Sequence, residues 1–335
     1  MRCRNILSLI LVAAAFTSCD WHEECDYFGW LRVENNWQGY TKIPAAPDRN
    51  YALFYSEVKG YQGQYDIVPN LEGVPDTVTV KVPIGSTRVI TYTRPNEEEP
   101  TSVMSKNIKF RDLENYDKAT AYVDYYLDEK GGHIAEPGLF YIGQSTTNVG
   151  FEDTELVGKS ETNNKIPVLQ RQITKFLEFR FHTGKDNNSL PNITAIRTSL
   201  SGIASEVSLS TGLGVPESAV TCNYNAQKVD VVDPENPSSD NLADIQFKYS
   251  FAALDFLGRF ESVDNTKNIL TVWATLDNGE ERVRSIDITP YLKEFDELCM
   301  VARIDVDVSS DNLKLGVVFA EFEEGLWEYS NIGKK

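Results

Sequence analysis

The sequence predicts an all-β fold, two tandem antiparallel β-sandwich domains, and three observations carry that prediction. Several segments alternate apolar and polar residues with a period of two. An Asn-Gly turn joins two strand-like segments, and no long amphipathic helix pattern occurs anywhere in the 335 residues.

The alternation is clearest in Asp76 to Pro83, where Val78, Val80 and Val82 share one face and Thr77, Thr79 and Lys81 the other. Lys175 to His182 places Leu177, Phe179 and Phe181 opposite Glu178, Arg180 and His182, so His182 is expected on a solvent face. Met300 to Val308 sets Ala302, Ile304, Val306 and Val308 against Arg303, Asp305 and Asp307. Strands buried on one face read this way, and one-sided burial suits antiparallel sheets packed as sandwiches. Arg88 to Arg94 and Ala119 to Leu127 are rich in β-branched and aromatic residues. Asp277-Asn278-Gly279 divides NILTVWATL from ERVRSIDIT and favours the positive φ of a tight hairpin. Tyr291 to Leu298 follows Pro290 and fits about two turns of helix.

Polar residues dominate 143–164, which sets the expected change-over between domains at 145/146. The expected organisation is a leader over 1–18, a tether over 19–26, and sandwiches over 27–145 and 146–335.

The leader has its own logic. Arg2 and Arg4 precede the apolar run Ile6 to Phe16, then Thr17, Ser18 and Cys19. A positive end, a short apolar stretch and small residues form an export signal. The run is too short to span a bilayer, which takes about 20 apolar residues. FTSC resembles a bacterial lipobox, which implies cleavage before Cys19, lipid on that cysteine, and outer-membrane attachment facing the exterior. The acidic stretch that follows (DWHEECD) reads either as a surface-export tag or as a solvated tether.

Composition narrows the partners. Fifty acidic residues against 32 basic ones give a formal charge of −18, which disfavours nucleic acid and anionic lipid surfaces. Cysteines are sparse. With Cys3 in the leader and Cys19 lipidated, Cys25, Cys222 and Cys299 remain, with no CxxC spacing for structural zinc.

Catalytic chemistry has little to stand on. Of three histidines, His22 lies in the tether, His133 follows Gly131-Gly132 in a turn, and His182 lies on a strand. No nucleophile elbow, zinc-protease motif or phosphate loop occurs, and Gly212-Leu213-Gly214 reads as a turn. The loop Asp233 to Asp244 offers carboxylates for calcium but lacks EF-hand spacing, so it reads as solvated. No enzyme activity, cofactor or metal is expected. Of the five tryptophans, Trp273 and Trp327 fall in strands. Trp37, in Asn35-Asn36-Trp37-Gln38-Gly39, is the candidate contact for a glycan or a partner.

Order and spacing of several segments carry a family resemblance. These are Cys25 to Glu57, the run Pro83-Ile84-Gly85-Ser86-Thr87-Arg88-Val89-Ile90-Thr91-Tyr92, Val168-Leu169-Gln170-Arg171, Leu200-Ser201-Gly202-Ile203-Ala204, and Leu209-Ser210-Thr211-Gly212. Together they are similar to fimbrillin-like lipoproteins of the Bacteroidales. The resemblance implies two transthyretin-like, Greek-key sandwiches and a fimbrial role as lipid-anchored accessory subunit or adhesin. It also implies assembly with other fimbrial subunits by β-strand complementation. Gly325 to Ile332 would then be a donor or edge strand, or a last strand closing its own sheet. Related subunits are cleaved after an arginine near the first strand, for which Arg32 and Arg49 are candidates by position. A surface glycan-binding lipoprotein is the alternative reading.

Overall fold

The computed structural model describes residues 27–37, 50–67, 76–94, 105–129, 131–151, 157–159, 161–183, 192–229, 246–259, 266–293, 299–308 and 312–321. Alternation in the first strand sets up the first sheet. In β1 (Phe28–Asn36) every second residue from Gly29 is buried, Leu31 and Val33 fully. β1 lies between β4 (Thr77–Pro83), antiparallel, and β11 (Lys165–Leu169), parallel. The predicted valine face of β4 turns inward, with Val80 and Val82 buried.

A second sheet packs on that face, in the order β12 (Arg171–Gln172), β10 (Tyr141–Val149), β5 (Gly85–Thr93), β2 (Asn50–Ser56), β3 (Gly60–Ile67). Ala52, Phe54 and Val89 meet Leu31, Val33, Val82 and Val168 in a small core. Burying each such side chain is worth about 1.5–3 kcal/mol. The reverse face of this sheet is buried too. Leu53, Tyr55, Ile90, Tyr92 and Ile142 belong to a larger core that runs on into the rest of the molecule. Covering it is a short sheet of β6 (Lys109–Arg111), β7 (Thr120–Tyr122) and β15 (Glu206–Ser208), whose last strand comes from the far half of the chain.

The second sandwich has one sheet ordered β17 (Gln227–Lys228), β18 (Phe247–Ala253), β13 (Lys175–Thr183), β22 (Cys299–Asp307), β23 (Lys314–Glu321). Its other sheet runs β16 (Ala219–Asn225), β14 (Ile193–Ala204), β20 (Ile269–Leu276), β21 (Glu281–Asp287), with β19 (Asp255–Phe256) also on β14. Phe179, Tyr249, Phe251 and Tyr224 form an aromatic stack between the sheets, with centroids 4.6 Å apart for Tyr224 and Phe251 and 5.1 Å for Phe179 and Tyr249. A hairpin of β8 (Tyr125–Asp128) and β9 (Gly131–Ile134) lies along β16.

The turn at Asn278-Gly279 joins β20 to β21 as expected, with Gly279 at φ +82°. The helix α1 (Thr289–Lys293) is a single short turn around Pro290; the rest of the predicted stretch, 294–298, lies outside the described residues.

Three features depart from the sequence reading. His182 shares the outer face with Glu178 and Arg180 as expected but is only 9% exposed, because β18 and β22 flank β13 on either side. The expected change-over at 145/146 falls inside β10, which follows β5 as far as Val149. β11 and β12 then complete the first two sheets, and β13 is the first strand of the second sandwich. The polar run Gln144 to Asn148 resembles a loop in composition because, beyond Ile142, no described strand pairs with the other edge of β10. Finally, β1 with β11 and β13 with β22 are parallel pairs, which period-two alternation does not reveal.

Candidate subunit interface

Two of the recognised segments meet where the sandwiches join. The Arg171 guanidinium donates to the Gln144 side-chain oxygen at 2.8 Å and to the Thr211 carbonyl at 3.3 Å. Gln144 donates in turn to the Leu209 carbonyl at 2.6 Å. Gly212 sits here at φ +72°, where an added Cβ would lie 2.8 Å from the Arg171 guanidinium. Gln170 is buried beside the joint and donates to Thr91 Oγ1 at 2.7 Å and Asn35 Oδ1 at 3.0 Å. These bonds tie the elements together, while Gln170 Oε1 and Asn35 Nδ2 stay buried without a hydrogen-bond partner. Arg171, Gln144 and the Leu209 and Thr211 carbonyls are occupied with one another, so the joint is structural.

The sheet edges differ more. An edge strand presents backbone N–H and C=O groups that another chain can pair with, and proteins usually blunt it. β3 is kinked by a register shift opposite Phe54 and Tyr55, with Gly63 at φ +133°, and lies alongside β4. β11 carries Pro167, which has no N–H, while β12 and β17 are two residues long. The β16 edge is approached by Gly132, where an added Cβ would lie 2.3 Å from the Thr221 carbonyl oxygen. β21 is crowded with charge, in the sequence ERVRSID.

β23 has no kink and no proline, and its charges stand only at its two ends, although β21 of the other sheet comes near it. It pairs with β22 in unbroken register from Lys314 to Glu321, and no described strand pairs with its other edge. Leu315 to Ala320 is uncharged. Leu315 and Val317 are partly buried against the main core, and Val318 on the outer face is 56% exposed. Val283 on neighbouring β21 is 55% exposed. Arg282 ties β21 to the residue just beyond β22, donating to the Val308 carbonyl at 2.9 Å while pairing with Glu280 at 2.8 Å. Alternation does not mark this strand in the sequence. Its one signal was the uncharged run from Leu315 to Ala320.

The expected site residues lie elsewhere. Trp37 is half-buried and edge-on to Tyr141, with centroids 5.4 Å apart. Trp273 lies under the Arg197 guanidinium at 4.4 Å, and Trp30 under Lys159 at 5.2 Å. Each of these three rings therefore already carries a neighbour from its own chain. Arg32 sits in the middle of β1, paired with Glu34 at 3.0 Å, its backbone held between Thr79 and Lys165. His133 Nε2 lies 3.1 Å from the Asp128 carboxylate on the β8–β9 hairpin. Cys222 is a buried free thiol on β16, and burial pushes its pKa up to about 11. Cys299 opens β22, in the opposite sheet. Cys19, His22, Cys25, Arg49, Trp327, the loops 95–100 and 233–244, and the segment 325–332 lie outside the described residues. Among the described residues, no three His, Cys, Asp or Glu side chains come together as a metal site would need.

These features define an all-β protein of packed sandwiches whose longest smooth edge is its last described strand. No family model matches the sequence, and no curated protein does. Solved structures do share the fold. The fimbrial anchor protein Mfa2 from Porphyromonas gingivalis is 12% identical, with a TM-score of 0.56 over 87% of this chain and 96% of that one. A candidate adhesin from Bacteroides ovatus is 15% identical, with a TM-score of 0.53 over 84% of this chain and 90% of that one. A candidate polysaccharide-binding protein from Bacteroides thetaiotaomicron is 9% identical, with a TM-score of 0.51 over 88% and 98%. At these identities the likeness is one of fold. It is the structural neighbourhood that the order of motifs along the chain anticipated.

Proposed function

We propose that the protein is a cell-surface lipoprotein that serves as an anchor or accessory subunit of a fimbrium and is held to the outer membrane by lipid on Cys19. Other subunits join it by β-strand complementation, with the edge of β23 as the receiving strand. The observation that carries this reading is that edge: eight residues in regular register, free of charge from Leu315 to Ala320 and without a described partner on one side. Added backbone pairs would supply affinity, and apolar residues placed beside Leu315 and Val317 would set register. The fold shared with a fimbrial anchor and a candidate adhesin supports the same reading.

A photo-crosslinking amino acid at Val318 tests it in cells. Capture of a fimbrial subunit from Val318, but not from Tyr65 on the kinked edge of β3, is the expected result. Equal capture from both, or from neither, sinks the proposed receiving edge. Metabolic labelling with palmitate, lost in Cys19→Ser, tests the anchor separately.

The alternative, a surface glycan-binding lipoprotein, draws on the description of one structural neighbour. Cations of the chain itself lie over the rings of Trp30 and Trp273, which counts against stacking platforms at those two positions. Polysaccharide-array binding that disappears in Trp37→Ala would restore it.

A further inference from the structure

We infer that the fold is built to carry tension between its N-terminal end and the end of β22, through two parallel strand pairs loaded in shear. Among the described strands only two pairs are parallel, and the other pairings are antiparallel. Their positions are what makes them informative. β1, the first described strand, pairs in parallel with β11 from Arg32↔Lys165 to Asn36↔Leu169. β11, β12 and β13 follow one another with one or two residues between them, so a pull on β11 passes along one nearly continuous stretch of backbone. β13 then pairs in parallel with β22 over eight positions, from Phe176↔Cys299 to Thr183↔Val306. The two parallel pairs thus stand in series between the start of β1 and the end of β22.

Direction decides how such a pair fails. When the N-terminal end of one strand and the C-terminal end of its parallel partner are drawn apart, the strands slide against each other. The hydrogen bonds between them, evenly spaced in a parallel ladder, are then loaded together. When two strands are pulled apart from one shared end, the same bonds open one at a time. The first pair is also backed by burial and by side chains. Val33, Ile166 and Val168 lie in the core beneath it, and Gln170 just beyond β11 bonds back to Asn35. Forced unfolding follows the rate of crossing the barrier, so a path on which bonds break together resists load far longer.

The physiological meaning rests on the anchor reading, in which a lipidated Cys19 pulls on β1 and a fimbrium pulls at β22 and β23. The mechanical claim does not rest on it. The test is single-molecule force spectroscopy on the mature chain, with bio-orthogonal handles replacing exposed residues. Handles at Tyr27 and Lys314 load both parallel pairs in shear. Handles at Tyr27 and Lys81 peel β1 from β4, beginning near the end where the Ile84 amide donates to the Tyr27 carbonyl. The expected result is a several-fold higher unfolding force for the first geometry at equal loading rate. A force for Tyr27 with Lys314 equal to or below that for Tyr27 with Lys81 overturns the inference. That outcome would leave palmitate labelling and Val318 cross-linking, and hence the anchor reading, untouched.

Discussion

The two ends of the molecule treat their sheet edges in opposite ways. In the first sandwich β1 has a strand on each side, β3 is kinked by a bulge beside β4, and β11 carries a proline. In the second, β23 runs straight, uncharged from Leu315 to Ala320, with one side unpaired among the described strands. Among the described strands, the edges of the first sandwich carry a kink, a proline or, on β4, a central lysine, whereas β23 carries its charges only at its ends. A sandwich that held itself shut at both ends would have nowhere to add a strand, and one open at both would aggregate.

The comparison can be broken first at the closed end. Leu31→Ala removes a fully buried side chain between the first two sheets and should cost about 2–5 kcal/mol in urea unfolding. A loss under about 1 kcal/mol, the usual size of a change at a tolerant site, would mean that the small core does not hold that end together. Gly143→Ala comes next. Its Cβ would lie 2.6 Å from Val168 Cγ1 and 2.8 Å from the Leu169 carbonyl, so β11 must move away, at about 1–3 kcal/mol for overpacking. At the open end the opposite is expected. Val318→Lys should change stability by no more than about 0.5 kcal/mol, as exposed positions do, while abolishing subunit capture. A variant that unfolds, or one that captures normally, would erase the contrast.

The smallest effect concerns Cys222. Its thiol titrates near 9 when exposed and at about 11 in the fold, because burial disfavours the thiolate. The unfolded chain therefore loses this proton first. The thiol's contribution to stability is intact below pH 9 and is lost as pH rises through about 11. Stability of Cys222→Ala against pH should lack that component, and Ellman's reagent should reach Cys222 at pH 8 only after unfolding.

Much of this architecture is legible in the sequence, for a physical reason. Thr77 to Pro83, Lys175 to Thr183 and Cys299 to Asp307 are strands where alternation predicts them, and Gly279 supplies the positive φ that a tight hairpin needs. Alternation reports burial of side chains, and it is silent about what lies beside a strand. That is why His182 misleads: the residue points to the expected face, but β18 and β22 flank the strand on either side. The same silence hides the parallel pairing of Arg32 with Lys165 and the extension of the first sandwich to Gln172. The candidate interface was the least legible part, because being an edge belongs to the topology and to no residue. The aromatic candidate, Trp37, stands out in the sequence for its polar surroundings, yet its ring is half-buried and edge-on to Tyr141.

The partnership of β1 with β11 also bears on how the chain comes to be folded. β1 is made early and finds β4 soon after, but its second neighbour follows only after β10 has been made. β13 likewise waits for β22, near the end of synthesis. Pairings this remote in sequence form slowly, because the intervening loop must be closed before any contact rewards it. A chain that enters its folding compartment N-terminus first therefore holds half-finished sheets until β11 and β22 arrive. Those sheets are the species that a chaperone would have to shield, until the last strands arrive.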